Sequence, residues 1–329
     1  KGEMDRLYKI RPIHKRAQAE LLILGNHLKE HQAVRCYLMS LNKFQFALAT
    51  RKVRSIQSSI RGILFNPLGE PGNRELIWFT KLRKYLQLIW MLRNQHLEHI
   101  YILNDDSLVA SLNKRYIRRN FFISLPDPIL IPSEGIEKQL DSGIPIRSKK
   151  YRFLMFGSLS ARKGIFLVLD ALKLLPKDIS SLIEFVFAGK VVTHTKETFL
   201  ASLSDIKNNR PDITIHYLDK FIPYRAIPEL FSDSDCVLTP YYGNQSSSGV
   251  IGHAALYGKP VIGPNRGLIG DLIRSYELGI VIDAIDAQKL ADTIHFFCND
   301  KEAYRKTIGM KRFVKERHPN RFVQTLIAN

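Results

Sequence analysis

The sequence predicts an α/β protein built from two doubly wound domains. Three observations predict it. Short apolar, strand-like runs alternate with helical patterns in both halves of the chain. A stretch rich in Pro, Ser, Gly and charge, residues 127–150, interrupts that alternation. The 329 residues suit two domains, and 45% hydrophobic residues give each an ordinary core.

In the first half, residues 13–31 read as a helix, and "AVRCYLM" (33–39) and "IRGILFNPL" (60–68) as strands. "ELIWFTKLRKYLQLIWMLRNQ" (75–95) is a long helix. Its Leu76, Phe79, Leu82, Leu86, Ile89 and Trp90 recur every three to four residues, which predicts a core-facing stripe. "HIYILND" (99–105), "SLVASLNKRY" (107–116) and "FFISLP" (121–126) complete the domain 1–126 as strand, helix and strand. After the linker, "YRFLMFGSL" (151–159) is a strand entering a glycine turn, and "GIFLVLDALKLLP" (164–176) is a helix stopped by Pro176. Strands at 183–189, 213–219 and 235–240 alternate with helices at 196–211 and 226–234. The domain runs to about residue 312, followed by a C-terminal helix within 313–329.

Composition narrows the function. No run of about 18 uncharged apolar residues is present to span a membrane. Lys1-Gly2-Glu3-Met4-Asp5 lacks an apolar h-region and does not read as a signal peptide, and the three scattered cysteines make a reducing, cytoplasmic location the expected one. Cys36, Cys236 and Cys298 are too few and too far apart for a disulfide framework or a cysteine zinc site. The net charge of +18 is uneven. Residues 1–126 hold 22 Lys/Arg against 9 Asp/Glu, a net +13, and the remainder holds 27 against 22, a net +5. Such a field attracts an anionic surface or acceptor, and its bland alternative is solvated charge. Nucleic acid is not expected, because no recognised nucleic-acid-binding motif accompanies the charge.

Two strand-to-helix turns carry the chemistry. "YYGNQSSSGVIGHAALYGKPVIGP" (241–264) follows a strand and opens a helix near Gly249. Ser246, Ser247 and Ser248 are good N-caps, and Gly249 allows close approach to the backbone. First-turn amides lack internal partners and carry the positive end of the helix dipole, so a phosphate fits there. A structural cap is the alternative. "FGSLSARKG" (156–164) is a second such turn, placing Arg162 and Lys163 on the same sheet edge. Together the two turns can clamp a diphosphate, in a spacing that matches no Walker A pattern.

These residues carry a resemblance. From about Tyr151 to Asn329 the chain resembles the nucleotide-sugar-binding domain of GT-B glycosyltransferases of the retaining "group 1" family. Gly157-Ser158-Leu159-Ser160-Ala161-Arg162-Lys163-Gly164 stands where that family has G-R-L-x-x-x-K-G. The register set by Gly258-Lys259-Pro260-Val261 places Gln245 and His253 at the two glutamate positions of its E-x7-E segment. "GLIGDLIRSYELGIVID" (267–283) and "HPNRFVQTL" (318–326) resemble the segments that follow, the last being a helix that crosses back to the first domain.

The resemblance implies a GT-B-like fold of two Rossmann-like domains and a nucleoside-diphosphate-sugar donor, with no cofactor and no bound metal. It also implies a glycan or lipid-linked acceptor. Separately, the basic charge of the first domain and the cations beside aromatics in residues 74–90 suggest peripheral contact with an anionic membrane, with core aromatics and solvated cations as the alternative. Lys163, Arg162 and Gln245 take the catalytic positions. Gly157, Ser158, Ser247, Ser248, Gly249, Val250 and His253 take the donor-binding ones, His253 as a ribose contact or a structural histidine. Ser158 replaces the family's arginine, and Gln245 and His253 replace its glutamates, so a non-catalytic GT-B-fold scaffold is the alternative. Residues 1–12 show neither the family's opening strand nor its Gly-rich loop, so the first βα unit is expected to be absent from this chain.

Overall fold

The strand-like run Ile183–Ala188, apolar except for Glu184, is buried along its whole length, as a strand covered on both faces requires. The computed structural model describes residues 13–49, 56–65, 67, 77–115, 120–131, 144–242, 247–283, 286–300 and 307–328. The chain divides into two units, Lys1–Pro126 and Asp127–Asn329.

In the first unit, α1 (Ile13–Glu30), β1 (Arg35–Leu38), α2 (Gln45–Ala49), β2 (Ser59–Ile63), α3 (Ile77–Leu92), β3 (Leu97–Leu103), α4 (Asp106–Arg115) and β4 (Phe122–Leu125) follow in order. The strands pair in parallel in the order β1-β2-β3-β4. Leu41, Ile60, Met91, Leu97, Ile100 and Phe122 are among the residues of its core. Asn113 on α4 locks β4 in place: its Nδ2 donates to the Phe122 carbonyl at 2.8 Å, and the Phe122 amide donates to its Oδ1 at 3.0 Å. Residues 1–12, on which the expected loss of a βα unit falls, lie outside the described residues.

Three residues of the stripe expected to face the core on α3 do not do so, Ile89 is half-buried, and Leu76 and the side chain of Phe79 lie outside the described residues. Leu82, Leu86 and Trp90 are 39%, 41% and 49% exposed, whereas Leu88 and Met91 are buried. The helix is apolar on more than one face, so periodicity alone does not select the buried one. Packing against α2 and the sheet selects Leu88 and Met91.

The second unit runs β5 (Tyr151–Phe156), α5 (Ile165–Leu174), α6 (Lys177–Ser180), β6 (Ile183–Ala188), α7 (Lys196–Asn209), β7 (Thr214–Leu218), α8 (Ile227–Ser232), β8 (Cys236–Leu238), α9 (Gly249–Leu256), β9 (Val261–Pro264), α10 (Gly267–Ser275), β10 (Gly279–Ile282), α11 (Ala287–Asn299), α12 (Thr307–Glu316) and α13 (Pro319–Ala328). All its strands are parallel, in the order β10-β9-β8-β5-β6-β7. Successive strand residues feed opposite layers: Phe153, Phe185 and Leu238 one core, and Leu154, Val186 and Val237 the other. α11 carries a local signal of its own, since the Asp286 side chain caps it by accepting from the amides of Gln288 and Lys289.

The segment expected to be a linker is anchored at both described ends. Ile129 is buried, and its amide donates to the Arg317 carbonyl at 2.9 Å. Pro145 and Ile146 offer their carbonyls to Arg152 at 3.0 and 2.9 Å. Arg152 itself is 0% exposed and pairs through Nε with Glu184 Oε1 at 2.6 Å, Glu184 being 2% exposed. Its amide donates to Asp235, which also accepts from Arg147 at 2.6 Å. A fully buried guanidinium is tolerated only when its donors are matched in this way.

Arg152→Ala is expected to destabilise the protein by about 3–5 kcal/mol, because it strands Glu184 in the interior. Urea unfolding measures the loss. The double replacement Arg152→Met with Glu184→Leu is expected to lose less than the single one.

Candidate functional site

In the second unit the strand order reverses between β5 and β8. The chain leaves β5 toward β6 and β7 on one side, and leaves β8 toward β9 and β10 on the other. Loops that follow such neighbouring strands diverge, and a crevice opens at the carboxyl edge between them. A cavity of about 340 Å³ occupies this place. Two contacts fix its walls. The Tyr242 amide donates to the Arg162 carbonyl at 2.7 Å. Gly164, at φ +80°, packs so tightly on Pro240 that an added Cβ would lie 2.2 Å from the Pro240 oxygen.

The turn after β5 supplies cations. Gly157 adopts φ +99°, and an added Cβ there would lie 2.8 Å from Lys163 Nζ. Glycine relieves the strain of that positive φ and leaves the lysine end room to fold back over the strand end. Its Nζ donates to the Phe156 carbonyl at 3.2 Å and lies 5.4 Å from the Tyr241 ring centroid. Burial pulls the Lys163 ammonium down to about 8 from its ordinary 10.5, and the neighbouring Arg162 adds to the shift. Among the described residues, no carboxylate lines the cavity to relieve that charge. Arg162 lines the same cavity with an exposed side chain.

The turn after β8 supplies amides. Ser248 occupies the N-cap position of α9 in an extended conformation, yet no side chain hydrogen-bonds at that cap. The serine hydroxyls are used elsewhere. Ser247 Oγ donates to Asp127 Oδ2 at 2.6 Å, and the Ser248 hydroxyl interacts with the Tyr241 phenol. Burial pushes that phenol up to about 12, so it is a neutral hydroxyl at pH 7. Nothing lies within 4 Å of a Cβ built on Gly249, so the first turn of α9 opens directly on free space. An uncapped, open helix N-terminus facing a half-buried ammonium is an arrangement for an anion.

The structure brings together most of the residues singled out in the sequence. Gly157, Arg162, Lys163, Ser247, Ser248 and Gly249 line the cavity, as do Val250 and His253. The Val250 side chain belongs to the core, so the residue presents its backbone. Ser158 is exposed and is not among the lining residues. Gln245 and Ser246 lie outside the described residues.

His253 lines the cavity and packs among aromatic side chains. Its ring centroid is 5.5 Å from Phe231 and 6.4 Å from Tyr224, its Nδ1 is buried without a hydrogen-bond partner, and burial lowers its pKa. It is therefore a neutral imidazole packed on aromatic rings at the cavity wall. Tyr241 and Asp127 were not singled out as site residues. Tyr241 stands just ahead of the small polar run, but its burial has no local sequence signal. Burial raises the Asp127 pKa, against the lowering effects of Ser247 and Arg317.

A family model described as glycosyl transferases group 1 matches residues 137–312, more than half of the chain. An uncharacterised 41.2 kDa protein in the cps region of Klebsiella pneumoniae is 25% identical over 185 residues, covering 54% of this chain and 47% of that protein. The chain thus spans about half the length of this curated relative. Among solved structures, the α,α-trehalose-phosphate synthase (UDP-forming) of Burkholderia vietnamiensis superposes with a TM-score of 0.72 at 10% identity, over 95% of this chain and 78% of that one. Anabaena HepE in complex with UDP and glucose superposes with a TM-score of 0.66 at 17% identity, over 94% and 81%. At these identities the likeness is one of fold, an α/β arrangement of parallel sheets shared with GT-B glycosyltransferases.

Lys163 sets a pH-dependent stability. Below about pH 8 the lysine is charged in both folded and unfolded chains, and the folded state carries the full desolvation penalty. Between about 8 and 10.5 the folded lysine loses its proton first, so stability rises with pH. Lys163→Met is therefore expected to have a higher Tm than the wild type at pH 7. The gap should close between pH 8 and 10.5 in thermal melts across that range.

Proposed function

Because the chain belongs to the glycosyl transferases group 1 family, we propose that it transfers a sugar from a nucleoside-diphosphate donor to a saccharide or lipid-linked acceptor. The observation that carries the proposal is the Lys163 ammonium, held half-buried against the uncapped start of α9 at the strand-order reversal. Departure of a nucleoside diphosphate concentrates negative charge on its oxygens. Lys163, Arg162 and the first amides of α9 are preorganised to meet that charge, and they stabilise it more in the transition state than in the ground state. The charge they supply needs no metal ion, and retention of configuration follows the family resemblance. His253, at the cavity wall, is assigned to the ribose or base end of the donor. UDP-sugars are the first donors to try, since HepE is described in complex with UDP and with UDP-glucose.

The acceptor side rests on the first unit. Its net +13 and the exposed Leu82–Leu86–Trp90 face of α3, beside exposed Arg83, support contact with an anionic membrane that carries a lipid-linked acceptor. A cytoplasmic, membrane-peripheral location accords with this reading. No helix among the described residues is long and apolar enough to cross a membrane. A second reading is a non-catalytic scaffold that keeps the fold. The exposed Ser158 at the family's arginine position and the aromatic packing of His253 favour it.

Titration calorimetry with UDP, GDP, ADP and pyrophosphate tests the donor site. Lys163→Ala is expected to weaken nucleoside-diphosphate binding by about ten- to a hundred-fold, the worth of a desolvated charge-assisted bond. Wild-type affinity should fall as pH rises through about 8, and the variant should lack that dependence. A Cβ added at Gly249 has no protein atom within 4 Å, so Gly249→Val is expected to fold and to lose anion binding. His253→Ala should weaken nucleotides and spare pyrophosphate. If the wild type binds nucleotide but neither transfers nor hydrolyses any sugar from a donor panel, the scaffold reading stands. Absence of nucleotide binding at millimolar concentration overturns the donor site itself.

Vesicle co-sedimentation tests the membrane contact. Binding to anionic vesicles at low salt, absent with neutral vesicles and reduced by Leu86→Glu with Trp90→Glu, is the expected result. Equal binding to both vesicle types rejects it.

A further inference from the structure

We propose that His27, Glu30 and His31, at the C-terminal end of α1, form a binding site for a divalent transition ion of the zinc class. Their donor atoms all lie within 4.8 Å of one another, and His27 Nδ1 is 3.6 Å from Glu30 Oε2. In a tetrahedral site with ligand bonds of about 2.0–2.2 Å, neighbouring donors stand about 3.4 Å apart. All three side chains are exposed, so small rotations bring them onto one ion without disturbing the core.

The helix itself creates the cluster. Residues at i, i+3 and i+4 share one face, and Lys29 falls on the opposite side. His31 lies one residue beyond the helix, but its amide still donates to the His27 carbonyl at 2.9 Å, which keeps the i, i+4 relation. Gln32 then turns left-handed at φ 49°, and the Ala33 amide closes on the Leu28 carbonyl at 2.9 Å. The backbone under the three donors is thereby fixed. A helix C-terminus also favours a cation through its dipole.

The donor set selects the ion. Two imidazoles and one carboxylate, with positions left for water, suit Zn²⁺, Ni²⁺ or Cu²⁺. Mg²⁺ and Ca²⁺ take oxygen ligands and gain little from imidazole. A chain of net charge +18 repels cations at long range, so occupancy here would have to come from direct bonds to these donors. Bound across one helical turn, the ion braces the end of α1, whose Ala17 and Leu21 pack in the first core. The site belongs to Lys1–Pro126, and the cavity belongs to the other unit.

The test uses the full chain without a histidine tag. Zn²⁺ titration by calorimetry is expected to show one saturable site that excess Mg²⁺ does not displace, with a rise in Tm on saturation. His27→Ala and His31→Ala should each weaken it by at least about tenfold, since even outer-sphere changes at metal sites cost about ten- to a hundred-fold. Exposed His194 in the other unit is the control, and His194→Ala should leave the affinity unchanged. The proposal is overturned if no Zn²⁺ binds, or if the double variant His27→Ala, His31→Ala binds as tightly as the wild type. An equal loss in His194→Ala also overturns it, because binding is then spread over surface histidines and His27–Glu30 is an exposed ion pair only.

Discussion

The reversal of strand order between β5 and β8 is the constraint on which the rest of the second unit depends. Two strands distant in sequence lie side by side, and the chain departs from them in opposite directions. Their following loops must therefore separate, and a cavity opens without any residue dedicated to making it. What the sequence adds is the closeness of the walls. Gly164 admits the Pro240 carbonyl, and Gly189 admits the Gly157 carbonyl, where an added Cβ would lie only 1.9 Å away. Side chains at these positions would push the β5 turn away from its neighbours, and with it the lysine that the turn carries.

Charge is treated in opposite ways at the two edges of the same sheet. At the amino edge, Arg152 is surrounded by Glu184, two carbonyls and, near its backbone, Asp235, so a buried guanidinium is fully matched. At the carboxyl edge, Lys163 is half-buried beside another cation and, among the described residues, has a single carbonyl as its hydrogen-bond partner. The matched edge holds the chain entering β5 in place. The unmatched edge stores an electrostatic penalty that an anion relieves. Such a contrast between a satisfied and an unsatisfied charge is a physical mark of a binding edge, with structural ion pairs as the usual confounder.

Much of the fold is legible in the sequence because fully buried parallel strands need mostly apolar runs, broken in β6 only by the paired Glu184. "IEFVFA" and "FLMF" can scarcely be read otherwise. The face of α3 was not legible. Apolar residues surround much of that helix, and only contact with α2 and the sheet chooses Leu88 and Met91 over Leu82, Leu86 and Trp90. The serine run shows a similar limit. Its composition announces a helix start, which is correct, but the caps it promises are not made. Asp127 and Tyr241, distant or buried partners, take those hydroxyls instead.

The sequence by itself determined the two-unit α/β plan, the strand–turn–helix placement of Lys163 and Gly249, and the small residues that keep those turns open. These are local properties, set by periodicity, by positive-φ glycines and by residues adjacent in the chain. Tertiary structure alone decided that the two turns face one cavity, that Lys163 is desolvated, and that α9 begins without a side-chain cap. Each of these depends on groups far apart in sequence meeting in a low-dielectric space. Burial, charge and hydrogen-bond competition there follow from packing, which no window of residues contains.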